Sequence, residues 1–153
     1  MQIMIKDRLY FVNERLYFLV VGIRYTSPGG LMYLVSDGNA HFLASISRKS
    51  QIVPEIKIPE AKRIKKDIGT IVTQIDAGQK YPASPFKAYF VSDNSFRTDE
   101  AGIVIGLGVI DIAEHKLIYY VLYGDGSIIS VSEDAEKRMF PEFRIPSNYR
   151  LSW

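Results

Sequence analysis

An all-β fold follows from two features of this 153-residue chain. The first is a phrase that occurs three times: an apolar run that ends in an Asp-Gly or Asp-Asn turn, at residues 31–38, 87–94 and 119–126. Asp-Gly and Asp-Asn supply the positive φ values of a tight hairpin, and the residues ahead of them are largely β-branched or aromatic. The second is composition. Ten tyrosines and eight phenylalanines suit the pleated, half-buried surface of a strand. Hairpins repeated in this way point to an array of similar small β units.

In chain order, Leu9-Tyr10-Phe11-Val12 and residues 16–21 read as strands around the loop Asn13-Glu14-Arg15, with Ile23 and Tyr25 continuing the second. Ser27-Pro28-Gly29-Gly30 turns the chain, because Pro presets φ and Gly accepts the reverse bend. The run into Asp37-Gly38 and a strand over 41–46 complete a first unit, residues 1–53. Pro54 and Pro59 bracket extended backbone. Pro59 in first position, with cations toward the end, predicts a short helix over 59–66. Residues 54–68 therefore read as a basic connector. Gly69-Thr70-Ile71-Val72 opens a predicted strand over 69–75, followed by a polar loop and a strand over 87–91. Strands over 102–110, 117–123 and 127–131 come next, then one or two helical turns over 132–139 capped by Ser132. Residues 69–139 form a second region, read either as one unit or as two fused repeats. The tail 140–153 carries Phe140, Phe143, Tyr149 and Trp153. It is expected to pack across the fold, since solvated tails rarely hold so much apolar surface. The first and third units align on their Asp-Gly turns, and Val21-Gly22-Ile23 answers Ile105-Gly106-Leu107.

Gly102, Val104, Gly106, Tyr120, Val121, Asp125, Gly126, Ile129 and Val131 give residues 101–139 a recognisable order. A Gly opens a strand, a variable loop follows, then a strand ending in Asp-Gly, a short strand and a helical turn. This resembles an SH3-like small barrel of the Tudor or KOW type, and residues 16–46 resemble it more loosely. The resemblance implies tandem SH3-like small barrels with a short helical connector and an extended aromatic C-terminal tail. The chain departs from the KOW pattern, whose nucleic-acid binders carry Lys or Arg in the first loop. Here that loop reads Asp111-Ile112-Ala113-Glu114-His115-Lys116, close to neutral. Tudor readers hold a methylated cation in an aromatic cage. Tyr119, Tyr123 and Asp125 are the residues at hand for one, although alternate strand aromatics commonly face a core.

Several chemistries find no support in the sequence. The absence of cysteine removes disulfides, thiolate nucleophiles and zinc-thiolate sites. His41 and His115 fall in no metal-ligand spacing. The glycines of residues 102–108 lack the helix a dinucleotide loop needs, and read as strand bends or bulges. No Gly-x-Ser-x-Gly elbow occurs. Asp37, Asp93 and Asp125 have a sufficient role in their turns. No catalytic residue, metal ligand or cofactor is therefore assigned. The start lacks a signal-peptide pattern and no window approaches the roughly 18 uncharged apolar residues of a membrane span. A cytoplasmic, non-membrane protein is expected.

Surface recognition is left, and its most prominent feature is the basic run Lys62-Arg63-Ile64-Lys65-Lys66. With Lys80 and Lys87 it is expected to grip nucleic-acid phosphates. Tyr25, Tyr81, Tyr119 and Tyr123 are the candidate aromatic contacts. Binding of this kind, to DNA or RNA, positions without specifying sequence. The net charge of +2 neither demands nor opposes it. The alternative is a protein-binding module, an adaptor or a small regulator or inhibitor of the sort phages encode. It would use aromatic strand surfaces, strand addition or self-association. A third reading is an enzyme or small-ligand binder with its site between units.

Overall fold

The computed structural model describes residues 8–26, 29–78, 86–92, 101–111 and 116–151. The chain is mostly β. Among these residues the strands are β1 (Leu9–Asn13), β2 (Leu16–Thr26), β3 (Gly30–Ser36), β4 (His41–Ser45), β5 (Ile52–Pro54), β6 (Phe86–Val91), β7 (Ala101–Asp111), β8 (Lys116–Leu122), β9 (Ile128–Ser132) and β10 (Met139–Pro141). One α-helix, α1 (Ile68–Gly78), and several short 3-10 segments complete the set among the described residues. All pairings among the described residues are antiparallel.

The same strand order occurs twice. In the first half it is β5-β1-β2-β3-β4, and in the second β10-β6-β7-β8-β9. The halves join where the end of β2 meets the start of β6, at Arg24 opposite Lys87 and Tyr25 opposite Phe86. The path ends at β4 and β9, so the sheet does not close. Both long strands carry a register shift at the same place, between Val20 and Gly22 in β2 and between Val104 and Gly106 in β7. Gly22 and Gly106 thus mark bulges, as the sequence suggests for Gly106, whereas Gly102 and Gly108 sit in regular pairs. Gly38 and Gly126 sit at φ 102° and 90° in the hairpin turns, where only glycine is unstrained. Asp37 accepts bonds from the Asn39 and Ala40 amides, and Asp125 from the Ser127 amide, so both act as turn residues.

Three expectations change. Residues 69–75 are not a strand but the body of α1. Ile68, Ile71, Val72 and Ile75 recur at helical spacing, and all four are buried against Tyr10, Leu19, Val21 and Leu34. One apolar stripe of period 3.6 outweighs the β propensity of Thr, Val and Ile. Asp67 starts the helix, its carboxylate accepting from the Thr70 amide at 3.4 Å. The helix expected over 59–66 shrinks to one 3-10 turn at Glu60–Lys62. The helical turns over 132–139 are a 3-10 segment at Glu133–Arg138, but Ser132 makes no side-chain cap bond.

The aromatic tail is integral to the sheet. Met139–Pro141 pairs with β6 as Ile52–Pro54 pairs with β1. The segments that follow match one another 87 residues apart: Pro54 and Pro141, Glu55 and Glu142, Ile58 and Ile145, Pro59 and Pro146, Arg63 and Arg150. Their bonds match as well. Arg63 Nε donates to the Ile58 carbonyl at 3.0 Å and Arg150 Nε to the Ile145 carbonyl at 2.8 Å. The Tyr10 hydroxyl accepts from the Ile64 amide, and the Tyr89 hydroxyl from the Leu151 amide, each at 2.8 Å. Aligning the Asp-Gly turns, by contrast, places Val35 against Tyr123. The register sets Val35 opposite Val20 and Val121 opposite Val104, two residues away from that alignment. A slip of two preserves which face each side chain takes, so the strand pattern alone does not reveal it.

The largest core cluster draws on both halves. Leu9, Phe11, Val20, Ile23, Tyr33 and Val35 pack with Ala88, Phe90, Val104, Leu107, Tyr119 and Val121. Each half also has its own outer cluster, under α1 in the first and around Tyr89, Ile103, Ile105 and Ile145 in the second.

Candidate nucleic-acid interface

The basic run leaves β5 through two proline-bounded 3-10 turns, Glu55–Lys57 and Glu60–Lys62. Two of its cations are engaged in the fold. Arg63 holds the Ile58 carbonyl, and Lys66 Nζ donates to the Gly38 carbonyl at 3.1 Å and to Gln74 at 3.3 Å. Beneath the run, Arg8 bonds Glu55 at 2.9 Å and also the Ile64 carbonyl, while the Tyr10 hydroxyl donates to the same Glu55 carboxylate at 2.8 Å. Burial alone would raise the Glu55 carboxyl, but bonds from Arg8 and Tyr10 outweigh it and hold it below its ordinary range. The backbone of the run is thereby pinned at Ile58 and Ile64. Lys57, Lys62 and Lys65 are left exposed on a fixed support.

The second half provides an internal control. At the positions of Lys62, Lys65 and Lys66 it has Tyr149, Ser152 and Trp153, while Arg63 is matched by Arg150 and Lys57 by Arg144. The arginine common to both makes the same bond in both. The turn at Ser147–Tyr149 forms without a lysine where Glu60–Lys62 has Lys62. Lys62 therefore exceeds what this turn needs.

The other expected contact residues are dispersed. Lys87 is half-buried in β6 opposite Arg24, and Tyr25 is half-buried opposite Phe86. Lys80 and Tyr81 lie outside the described residues. Tyr119 is fully buried in the shared core and is no surface contact, since β8 turns it inward against the other half. Tyr123 is half-buried and lines an open groove of about 610 Å³ with Asp125, Ile129, Tyr149, Arg150 and Leu151. The other tyrosine lining that groove is Tyr149, from the segment read as a tail, and not Tyr119. Asp125 is tied to Ser127, whose hydroxyl donates to it at 2.6 Å and keeps its carboxyl below the usual range.

No protein-family model, curated protein or solved structure matches the chain. Its own geometry and its internal repetition are the grounds for a functional reading.

A half-buried polar cluster lies where the halves meet, and sequence reading does not single it out. Tyr119 donates to Glu136, and Lys49 Nζ bonds both Glu136 and Glu133 at 3.1 Å. Burial alone would lower the Lys49 ammonium, but its bonds to Glu136 and Glu133 keep it above its ordinary value. Lys49 and Glu136 are matched positions of the two halves, as are Tyr33 and Tyr119, so a pair of opposite charge spans the join. The Tyr33 hydroxyl, buried nearby, completes no hydrogen bond of good geometry. Among the described residues no three His, Asp or Glu side chains gather as a metal ion requires.

Burial raises the phenols of Tyr33, Tyr89 and Tyr119, that of Tyr89 to about 12. A pKa raised on folding gives stability that is complete below the unfolded value near 10 and is lost as pH climbs through the folded value. Alkaline unfolding is accordingly expected to begin above about pH 10. Absorbance at 295 nm should show these three phenols ionising together with loss of the circular dichroism signal. Smooth titration of all ten tyrosines near 10 in a folded protein would contradict their burial.

Proposed function

We propose that the protein is a non-enzymatic recognition protein made of two SH3-like small barrels fused through a shared core, and that it binds nucleic acid through backbone phosphates. The doubled strand order, with a 3-10 segment before the last strand of each half, supports the barrel reading. The observation that carries the function is the surplus of lysine in one half. The same scaffold is built twice, and Lys62 and Lys65 stand exposed only where the first copy has them. Because Arg63 and the bonds at Ile64 fix the segment, these cations meet phosphates with little ordering cost. The contact positions the ligand and carries no base readout.

Fluorescence anisotropy of generic duplex and single-stranded DNA and RNA, over several salt concentrations, tests the proposal. Replacing Lys57, Lys62 and Lys65 together by alanine is expected to flatten the logarithmic salt slope on duplex DNA by about 2 to 3 units, near one per lost phosphate contact. Arg144→Ala, at the matched position of the second half, should leave the slope unchanged. Absence of binding at about 50 mM salt sinks the proposal.

The second reading, a protein-binding module, is favoured by the groove of Tyr123, Tyr149 and Arg150. Aromatic side chains beside an arginine are the residue types that dominate protein interfaces. A protein that ignores nucleic acid at low salt but loses a captured protein partner on Tyr149→Ala would establish it.

A further inference from the structure

Both ends of the strand path are open, but they differ in character. At β4 the exposed Phe42 is consumed locally, its ring meeting Phe18 edge-on at 4.8 Å and Phe11 at 6.1 Å. At β9 nothing comparable occurs. Ile128 is 44% and Ile129 40% exposed, and Ser130 and Ser132 are exposed as well. The strand reads Ile-Ile-Ser-Val-Ser, with no charge, no proline and no glycine. Natural edges are blunted by lysine, proline, bulges or a covering element. Among the described residues β9 has one strand neighbour, β8, and none of the residue-level guards.

The hairpin fixes which backbone groups are free. The Tyr123 amide donates to the Ser127 carbonyl at 2.9 Å, so that pair is hydrogen-bonded across the hairpin. Antiparallel ladders alternate bonded and non-bonded pairs. The Ser127 carbonyl and the amides and carbonyls of Ile129 and Val131 therefore point toward β8, while Ile128 and Ser130 point theirs outward. A twofold axis at Ser130 would set its outward amide and carbonyl against the same groups of a second copy. In that register Ile129 faces the second copy's Val131 on one side of the sheet, and Ile128 faces Ser132 on the other. No charge opposes a like charge within the strand, so the edge is complementary to itself, as a twofold interface must be.

We propose that β9 is the surface through which two copies of the chain pair, edge to edge and antiparallel, extending each sheet into the other. The proposal is independent of the nucleic-acid reading and is tested without nucleic acid. Sedimentation velocity on the full chain, from about 1 to 500 µM, spans the affinities that small interfaces reach. A concentration-dependent dimer is expected. Ser130→Pro removes one outward donor, which an edge strand tolerates, and is expected to yield a folded monomer across the series. Ile129→Lys restores a guard of the natural kind and should do the same, which keeps the test decisive if the proline variant fails to fold. Phe42→Lys, on the opposite edge, should leave the dimer intact. A wild-type protein monomeric throughout the series overturns the proposal, as does a dimer that survives Ile129→Lys or is lost with Phe42→Lys.

Discussion

Replacing Phe11 by alanine is expected to lower the unfolding free energy by about 3 to 5 kcal/mol. Phe11 is fully buried on β1, between Phe18 across one pairing and Ile52 across the other, and the Arg48 guanidinium lies 4.7 Å from its ring centre. Its loss removes a large apolar group from a cluster that both halves build. Because domains of this size retain only about 5 to 15 kcal/mol of net stability, that loss is a large share of the whole. Thermal denaturation followed by circular dichroism checks this. A single transition moved down by about 10 °C is the expected result, at roughly 2 to 4 °C per kcal/mol for a chain of this length. A separate early melt of the first half alone would show that the shared cluster does not couple the halves.

Gly102→Val is the second large effect, and it arises from too much volume. A Cβ at Gly102 would sit 2.5 Å from Val121 Cγ1 and 3.0 Å from the Leu122 carbonyl oxygen. Val121 is fully buried and bonded into the centre of the second half, so it has little room to yield. The strand pair β7–β8 must spread or slip. Overpacking of this kind costs about 1 to 3 kcal/mol, and contact with backbone places this case at the upper end. Urea denaturation should show a lowered midpoint with an unchanged slope. A wild-type midpoint would mean that β7 and β8 are not in this register.

Much of the first half was legible because its signals agree. Alternation, aromatic strands and Asn, Gly and Asp turns all indicate β1 to β4, and the same holds for β8 and β9. The α1 segment misleads because two criteria conflict: Thr, Ile and Val favour strands, while the spacing of Ile68, Ile71, Val72 and Ile75 is helical. Spacing decides, since one face has the core to bury against. The tail misleads for a different reason. Its proline pattern copies that of residues 53–64, but attention to the Asp-Gly phrase hides the longer repeat. Half of the basic run was legible as surface. Nothing local reveals that Arg63 is held by the Ile58 carbonyl or Lys66 by Gly38, because those partners are set by the 3-10 turns and a distant hairpin. The join of Tyr119, Glu136 and Lys49 links residues up to 87 positions apart, a distance at which one sequence carries no pairing information.

The core common to both halves has a consequence for synthesis. Translation delivers β1 to β5 well before Ala88, Phe90 and Leu107, which cover the inner face of the first half. Until they emerge, the nascent first half holds Phe11, Tyr33 and Ile23 uncovered, and the end of β2 lacks its β6 neighbour. Such intermediates are aggregation-prone. The ribosome-bound chain should therefore be a chaperone client until the second half arrives, and protection from protease should come in one late step.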